Sequence, residues 1–364
     1  MVNTRTILDE VDDAFADGKP AVWMPGRQLF IGDAQACRDI LWNKAGLYKE
    51  TSDFFSTKWG TLSPRSSQVR MGLAAKVMLD DILQQVDIPK YIAALNEKTA
   101  WPRTGCAICY GLFEPMLFSQ SRSREFKRLV LKVIENRIYS TQSRSLPILR
   151  ARLRDRIHRV FVKELCANRA RGNPAPTDLF DVVAANIDHD TPPEQAAQIY
   201  ISFVFSLLGS IGFTFGWAIY LAVEHNAFDL NTEDIISESL RLYPIAWMMQ
   251  RSPVSNHTVL GELVSKDDLV TVSPFAMHRS PRNWEDARCF KPQRWRKKTD
   301  RKAWLPFGAG PHMCVGVTAT FTVLNQALAE LFKTRRLSIR CDNPTPDIGP
   351  ALKPPNFTLI AKRL

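Results

Sequence analysis

The sequence lacks the cysteine pattern of a disulfide-stapled or zinc-binding protein. Its 364 residues include seven cysteines, an odd number that is scattered along the chain. No pair of Cys-x-x-Cys arms with zinc-finger spacing occurs. We therefore expect a protein of a reducing compartment, the cytoplasm.

An export signal and internal repeats are also missing. The N-terminal stretch MVNTRTILDEVDDAFADG is acidic and polar, which fits neither a secretion signal nor a membrane anchor. We expect residues 1–20 to be a tail. A chain that is 45% hydrophobic and 23% charged is ordinary globular protein, which excludes disordered and collagen-like classes. With no clean linker, we expect one domain over residues 1–364.

Acidic residues are in the minority. The chain has 37 Asp and Glu against 48 Lys and Arg, a net charge of +11. A basic surface can meet nucleic acid, anionic lipid or an acidic protein, although solubility alone explains such a surface equally well.

Charge is absent from residues 195–223, QAAQIYISFVFSLLGSIGFTFGWAIYLAV. This length would span a bilayer. However, glycine, serine and threonine dilute it, and no second span exists to return the chain. The centre of a large helical protein also needs a helix that is apolar on all sides, and we favour that interpretation. Thr191-Pro-Pro-Glu predicts the start of this helix, with Thr191 as the cap.

Apolar residues recur at helical spacing in several other segments. A Pro-Gly turn predicts a hairpin over 21–32, and Asp33 can cap a helix that runs to about Asn43. Further helices are predicted over 66–85, 124–141, 148–170, 177–186, 233–242 and about 315–333. Short strands are predicted over 258–275 and in the C-terminal FTLIAKRL. The fold class is therefore mainly α with small β elements.

The segment LPFGAGPHMCVGVT (305–318) has the strongest chemical signal. Phe307, Gly310, Cys314 and Gly316 follow the spacing F-x-x-G-x-x-x-C-x-G. Glycines on both sides of the cysteine let backbone approach a flat ligand and direct N–H groups at the sulfur. The start of a helix just after Cys314 favours a thiolate, and a thiolate suits a haem iron. A single cysteine in a glycine-rich turn can also be merely structural.

This loop resembles the haem-ligand loop of the cytochrome P450 family. The resemblance extends to Glu238-x-x-Arg241, followed by Leu-Tyr-Pro, and to residues 278–295, which are similar to the family's meander, with Trp295 replacing the usual Phe. It implies the triangular helical haem fold, haem b (iron protoporphyrin IX), and Cys314 as the metal ligand. It also implies that Glu238, Arg241 and Arg294 form a buried structural triad.

Haem propionates are anionic and need cations. The resemblance points to His312 in the cysteine loop, Arg251 after the Glu238 helix, and Arg70. Arg70 stands at the Arg position of the family's Trp-x-x-x-Arg element, where the Trp position is Ser66. Each of these residues can alternatively be a solvated surface cation.

The oxygen-activation pair departs from the family pattern. Alignment of WAIYLAVEHN (217–226) places Gly209 at the position of the acid and Ser210 at that of the alcohol, while a competing register makes Thr214 the alcohol. No carboxylate is present in either case, although monooxygenation needs two protons delivered to dioxygen. Water or a substrate hydroxyl can replace the acid; alternatively, the enzyme uses peroxide or performs coupling or rearrangement.

Apolar residues at the family's substrate-lining positions imply an apolar substrate. We expect the following residues to line the pocket: Phe54, Phe55, Trp59, Phe203, Ser206, Leu207, Ile245, Ala246, Trp247 and Met248.

The sequence thus predicts a haem-thiolate oxygenase, of the soluble bacterial type and of secondary metabolism. We expect a monomer without membrane insertion or a fused reductase that receives electrons from an acidic ferredoxin or flavodoxin. A peroxide-using or otherwise atypical haem-thiolate enzyme is the alternative. A basic helical protein that binds nucleic acid or lipid is a third hypothesis, which the ordered family elements disfavour.

Overall fold

The computed structural model describes residues 6–52, 54–57, 60–135, 147–170, 175–188, 190–296 and 301–364. These residues are mainly helical with short strands, which confirms the predicted fold class. The backbone divides into two compact units. Unit 1 comprises Met1–Asp53, Trp217–Cys314 and Ile348–Lys353; unit 2 comprises Phe54–Gly216, Val315–Asp347 and Pro354–Leu364. Organisation as one domain stays a prediction.

A four-stranded sheet forms the core of unit 1. The predicted hairpin is confirmed, with β1 (Ala21–Met24) antiparallel to β2 (Gln28–Ile31). β2 runs parallel to β9 (Leu269–Val272), which pairs with β6 (Met249–Arg251). The last three residues of each of β2 and β9 are at most 3% exposed, so both faces of these strands are covered. β7 (His257–Val259) and β8 (Glu262–Val264) form a separate hairpin.

Two helices of unit 1 begin at residues whose side chains cap them. α2 (Ala34–Trp42) begins at Asp33, whose carboxylate accepts the N–H groups of Gln35 and Ala36. α11 (Thr232–Leu242) is capped by Asn231 and carries the Glu-x-x-Arg pattern. α12 (Pro274–Arg279) follows β9 and was not predicted; its first two residues overlap the segment 258–275, where we predicted short strands.

The expected N-terminal tail was wrong in part, because Ile7–Ala14 form a helix, α1. Thr6 and Asp9 make a reciprocal capping box at its start. The helix buries Leu8 and Val11, and Asp12 forms an ion pair with Arg279 at 2.6 Å. Asp9 and Glu10, two of the acidic residues that made a membrane signal implausible, thus lie in the first turn of a helix, where negative charge is stabilising.

Unit 2 contains most of the helices and a three-stranded sheet. Its helices are α3 (Arg65–Gln85), α4 (Ile88–Ala93), α5 (Arg103–Leu117), α6 (Arg124–Ile134), α7 (Pro147–Ala170), α8 (Leu179–Ala185), α9 (Pro193–Phe205) and α13 (Val317–Thr334). Its sheet has the order β10 (Arg335–Arg340), β13 (Phe357–Arg363), β5 (Lys98–Trp101). Its short strands are β3 (Ser56–Thr57) and β4 (Gly60–Thr61). The chain also has the short strands β11 (Asp347–Ile348) and β12 (Leu352–Lys353), of which β12 belongs to unit 1.

Most predicted helices of unit 2 are confirmed, but α4, α5 and every strand of the unit except β13 were not predicted. The strand β5 and the helix α5 have no strong start signal, since the N-terminal residue of α5 is preceded by Pro102, which makes no side-chain cap. Residues 136–141, at the end of the helix predicted over 124–141, lie outside the described residues. Around α6, the rings of Phe126, Phe161, Phe180 and Tyr200 pack with centroids 5.2–6.0 Å apart.

The long apolar helix comprises α9, a π-helical segment over Ser206–Ser210, and α10 (Ile211–Glu224). The cap prediction was wrong, because the N-cap is Pro192 rather than Thr191 and makes no side-chain hydrogen bond. By length and composition alone, Pro193–Glu224 could cross a membrane. Because 72% of its most apolar window is buried inside the protein, we favour a core helix.

Two glycines let this helix cross α5 at short distance. A Cβ on Gly212 would lie 2.7 Å from the backbone nitrogen of Cys106, and a Cβ on Gly105 would lie 2.7 Å from the carbonyl oxygen of Gly212. Both distances are shorter than real Cβ contacts. Gly212, one of the glycines that dilute the apolar run, is therefore required for the crossing with α5, together with Gly105 on α5.

Candidate haem site

Cys314 lies at the end of a loop that is held together by backbone hydrogen bonds between its own residues. The N–H of Cys314 donates to the carbonyl oxygen of Phe307 at 3.0 Å, and the N–H of Met313 donates to that of Gly310 at 3.1 Å. The side chain of Cys314 is exposed in the structure. Gly316 is the N-cap residue of α13, so the sulfur lies just before the positive end of an 18-residue helix. This is the environment that stabilises a thiolate.

Glycine is required where this loop turns. Gly308 and Gly310 have φ angles of +71° and +72°, a region that residues with a Cβ rarely adopt. A Cβ on Gly310 would also lie 3.1 Å from the carbonyl oxygen of Leu41 and 3.2 Å from the Cα of Trp42. The loop therefore packs closely against the end of α2, which limits its movement.

Two of the predicted propionate partners lie together in unit 1. Arg251, at the end of β6, is only 5% exposed, and its Nη1 donates to the carbonyl oxygen of Gln250 at 2.7 Å. His312 lies two residues before Cys314, in a turn of 3₁₀ helix. Both residues line one small pocket together with Lys49 and Glu50. The pocket thus gathers cationic side chains beside the cysteine loop.

The third predicted partner, Arg70, lies on the exposed side of α3 in unit 2. Its guanidinium donates to the Oδ1 of Asn186 at 2.9 Å and to the Oγ of Ser67 at 3.0 Å. Its role at a propionate stays a prediction. Phe307 is half-buried, and its ring lies 6.0 Å from that of Trp304.

Glu238 and Arg241 form a fully buried ion pair on α11. The Nε of Arg241 donates to one carboxylate oxygen at 2.9 Å, and its Nη2 donates to the other at 2.8 Å. Arg294 adds a bond from its Nε at 3.1 Å, so the structure brings the predicted triad together. Burial lowers the pKa of Arg241, and the carboxylate of Glu238 opposes this effect.

Sequence reasoning missed two further donors to the same carboxylate. The indole N–H of Trp295 donates to Glu238 at 3.0 Å, and the backbone N–H of Lys291 donates to it at 2.9 Å. Replacement of the usual Phe by Trp295 was the available signal, because a buried indole needs an acceptor. We call the group of Glu238, Arg241, Lys291, Arg294 and Trp295 the Glu238 cluster.

Other Glu-x-x-Arg patterns do not form such a cluster. Glu125 is about half exposed and forms an ion pair with Arg156 rather than with Arg128. Arg288, three residues after Glu285, donates to the backbone carbonyl of Asp12. Burial, rather than the spacing itself, distinguishes Glu238.

The π-helical segment and the first turn of α10 carry the residues predicted to act on dioxygen. The hydroxyl of Thr214, which is 3% exposed, donates to the carbonyl oxygen of Ser210 at 2.8 Å. Gly209 is buried, and a Cβ there would lie 3.2 Å from the ring of Phe205. Ser210 and Ser206 are half-buried. Ser210 and Thr214, the two residues that the competing registers propose as the alcohol, are therefore joined by the hydrogen bond from the Thr214 hydroxyl to the Ser210 carbonyl oxygen.

Three predicted pocket residues form an aromatic cluster in unit 2. The ring of Phe54 lies 4.7 Å from that of Phe203 and 4.8 Å from that of Phe55, in edge-on geometry. Leu207 follows one turn after Phe203 and is 6% exposed. Trp59, another predicted pocket residue, lies outside the described residues.

The segment after α11 alternates in burial. Ile245 and Trp247 are buried, whereas Ala246 and Met248 are half-buried. The indole N–H of Trp247 donates to the carbonyl oxygen of Gly349 at 2.8 Å within unit 1. Trp247 thus anchors the chain segment 348–353, and a contact of these four residues with substrate stays a prediction.

The donor set of unit 1 fits a haem bound through sulfur. Cys314 supplies the soft thiolate ligand that iron accepts in such sites. Arg251 supplies positive charge, and both Arg251 and His312 can supply N–H donors for carboxylates. Gly310 and Gly316 keep side chains away from the backbone on both sides of the sulfur.

Comparison with known proteins agrees with this assignment. The family described as Cytochrome P450 matches residues 231–360. Over 112 residues the chain is 35% identical to cytochrome P450 3A27 of Oncorhynchus mykiss, which covers 30% of this chain and 21% of that protein. Over 110 residues it is 36% identical to cyclooctat-9-en-7-ol 5-monooxygenase of Streptomyces melanosporofaciens, which covers 29% and 24%. These matches span only about a quarter of the relatives' length or less.

Solved structures match over nearly the whole chain. The open form of cytochrome P450 EryK from S. erythraea has a TM-score of 0.71 at 16% identity, with 99% of this chain and 97% of that chain covered. A thermophilic cytochrome P450 from Sulfolobus tokodaii also has a TM-score of 0.71, at 17% identity and with 98% and 100% covered. At these identities the likeness shows the fold.

Proposed function

We propose that the chain is a haem-thiolate monooxygenase of the cytochrome P450 family that oxidises an apolar small molecule, which the family match over residues 231–360 and the likeness of fold to solved cytochrome P450 structures support. The observation that carries the proposal is the loop that presents Cys314 at the start of α13, with Arg251 and His312 lining a pocket beside it. Haem b, when bound, supplies the iron centre for dioxygen chemistry. The protein supplies the ligand, the charge and the binding geometry.

In this proposal, Cys314, Arg251 and His312 each have a separate role in binding haem. Cys314 binds the iron, and the backbone N–H groups that open α13 stabilise the negative charge on its sulfur. Arg251 and His312 neutralise and orient the propionates. Since Arg251 is 5% exposed, its charge acts with little screening by water.

Replacement of the ligand tests the proposal. We expect Cys314→Ser to abolish the absorbance band at about 450 nm that the reduced protein shows with carbon monoxide when thiolate is the ligand. The control is Cys166→Ser, because Cys166 is also exposed but lies on α7. An unchanged band in Cys314→Ser, or imidazole ligation in the parent protein, would refute the assignment.

Proton delivery in this protein has to work without the usual acid. Gly209 has no side chain, and the hydroxyl of Thr214 already donates to the backbone of Ser210. The half-buried hydroxyl of Ser210 is the group that can orient a water or a substrate hydroxyl as the proton source.

The missing carboxylate also favours a second candidate, a peroxide-using or otherwise atypical haem-thiolate enzyme that performs coupling or rearrangement. Hydrogen peroxide brings its own protons and electrons, so neither the acid nor a reductase is required. Turnover with peroxide alone, at a rate that added electron donor does not increase, would favour this candidate. Turnover that requires an electron donor and dioxygen would favour the monooxygenase.

An apolar substrate is supported by the aromatic cluster of Phe54, Phe55 and Phe203. One relative is named as acting on cyclooctat-9-en-7-ol, and a mutant of EryK was solved with erythromycin B. We accordingly place this chain in secondary metabolism. Titration with a library of apolar compounds, followed by the shift in haem absorbance, identifies the substrate class. A matched library of charged compounds should give no shift.

The electron donor in this proposal is a separate acidic ferredoxin or flavodoxin, which the net charge of +11 suits. We place the reaction in the cytoplasm and expect a monomer. Reduction rates should fall with rising ionic strength, because salt screens attraction between opposite charges. A reduction rate that is independent of salt would count against an electrostatically guided donor.

A further inference from the structure

His278 is a fully buried histidine at the start of the meander-like stretch 278–295, and the family resemblance assigned it no role. It lies on α12 in unit 1, with 0% of its surface exposed. Its side-chain Nε2 accepts a hydrogen bond from the backbone N–H of Leu305 at 2.8 Å. Leu305 is the first residue of the loop that carries Cys314, and it is itself 3% exposed. Loss of this acceptor would leave a buried N–H group without a partner.

The same residue is bound to the Glu238 cluster through its main chain. The Nη1 of Arg241 donates to the carbonyl oxygen of His278 at 2.6 Å. One residue therefore joins the buried ion pair of α11 to the start of the cysteine loop. The backbone carbonyl makes one connection, and the imidazole makes the other.

Backbone hydrogen bonds continue the connection toward the sulfur. The carbonyl oxygen of Leu305 accepts the N–H of Gly308 at 3.2 Å. The carbonyl oxygen of Phe307, two residues after Leu305, accepts the N–H of Cys314 at 3.0 Å. A shift at Leu305 would therefore change the turn on which the orientation of Cys314 depends.

The imidazole can accept this bond only while it is neutral. Burial lowers the pKa of His278 to about 3, and the positive charge of Arg241 adds to the effect. The other ring nitrogen, Nδ1, has no hydrogen-bond partner among the described residues. Because Nε2 is the acceptor, the single ring proton lies on Nδ1. The buried ion pair thus helps to keep the histidine in the state that holds the loop.

We propose that His278 is a positioning residue of the haem-thiolate site, which fixes the cysteine loop by accepting the N–H of Leu305 and so keeps the Cys314 sulfur directed at the iron. This inference rests on the proposed function. It assigns the residue no contact with haem or substrate.

The test compares a variant that cannot accept a hydrogen bond with one that can. In the haem-loaded protein, we expect His278→Leu to lower the ratio of thiolate-type to non-thiolate carbon-monoxide absorbance about tenfold. His278→Gln, whose amide oxygen can reach the position of Nε2 and accept the bond, should restore most of that ratio. The thermal unfolding midpoint and far-UV circular dichroism of each variant give a readout independent of the haem.

Trp295→Phe is the matched control. It removes a hydrogen bond from the Glu238 cluster in the same unit but leaves the bond between His278 and Leu305 intact. We expect it to lower the unfolding midpoint without changing the carbon-monoxide ratio. An equal change of that ratio in this control and in His278→Leu would overturn the proposal, because general destabilisation would then explain both.

Other outcomes separate this inference from the proposed function. If the parent protein itself shows no thiolate band, the proposed function fails. If the parent shows the band and His278→Leu keeps the same ratio, only the role of His278 fails. If His278→Leu does not fold, hydrogen exchange of the parent decides: strong protection of the Leu305 amide supports the proposal, and rapid exchange overturns it.

Discussion

The Glu238 cluster offers the sharpest test of what holds unit 1 together. In Glu238→Gln, an amide replaces a carboxylate that accepts five hydrogen bonds. One oxygen becomes an NH₂ donor, which then faces other N–H donors. In addition, the positive charge of Arg241, whose side chain is fully buried, loses its partner.

The expected cost follows from this geometry. Removal of one member of a buried ion pair destabilises proteins by about 3–5 kcal/mol, because the other charge stays buried without compensation. Domains of ordinary stability unfold with about 5–15 kcal/mol, so this change removes a large part of the total. We therefore expect Glu238→Gln to lower the free energy of unfolding by about 3–5 kcal/mol and to reduce haem retention.

Urea unfolding, followed by circular dichroism and haem absorbance, measures the effect. Glu125→Gln is the matched control, because Glu125 has the same Glu-x-x-Arg spacing but forms an ion pair only with Arg156, with both side chains about half exposed. That change should cost at most about 1 kcal/mol. Equal small costs at the two positions would refute the reasoning. If Glu238→Gln does not fold, Trp295→Phe, which removes one of the five bonds, should cost about 1–3 kcal/mol.

Two further predictions concern the helix crossing and the response to acid. Gly212→Ala should destabilise the protein by about 1–3 kcal/mol or more, because its Cβ would lie 2.7 Å from the Cys106 nitrogen. The control Gly72→Ala, whose Cβ would have only one contact, at 3.7 Å, should stabilise α3 by about 0.5–1 kcal/mol. Equal unfolding midpoints of the two variants would contradict this prediction. The pKa of His278 falls from 6.5 to about 3 on burial, so its contribution to stability is complete above the unfolded value and is lost as the pH falls toward 3. Between about pH 7.5 and about pH 5 the loss should be about 2 kcal/mol, absent in His278→Gln, and an identical pH profile in both proteins would exclude it.

Local signals in the sequence predicted the elements that local physics decides. The Pro-Gly turn predicted the β1–β2 hairpin, and Asp33 predicted the start of α2, because turns and caps depend on neighbouring residues. The glycines around Cys314 predicted a turn, and Gly308 and Gly310 adopt the positive φ angles that glycine permits.

Elements without such signals were missed or misjudged. α1 was taken for a tail because its acidic residues were weighed only against membrane signals. β5 has only four residues, and its pairing with β13 joins positions more than 250 residues apart, so no local pattern predicts it. The Thr191 cap failed because two prolines follow it and the helix begins at the second.

The sequence by itself determined the identity of the candidate iron ligand, the Glu-x-x-Arg pair and the helical class, since these depend on residue type and short spacing. Only the tertiary structure decided which pair is buried, that Trp295 donates to Glu238, and that His278 accepts the N–H of Leu305. The physical reason is that such bonds join residues distant in the chain. Their strength depends on burial, which the path of the whole chain sets.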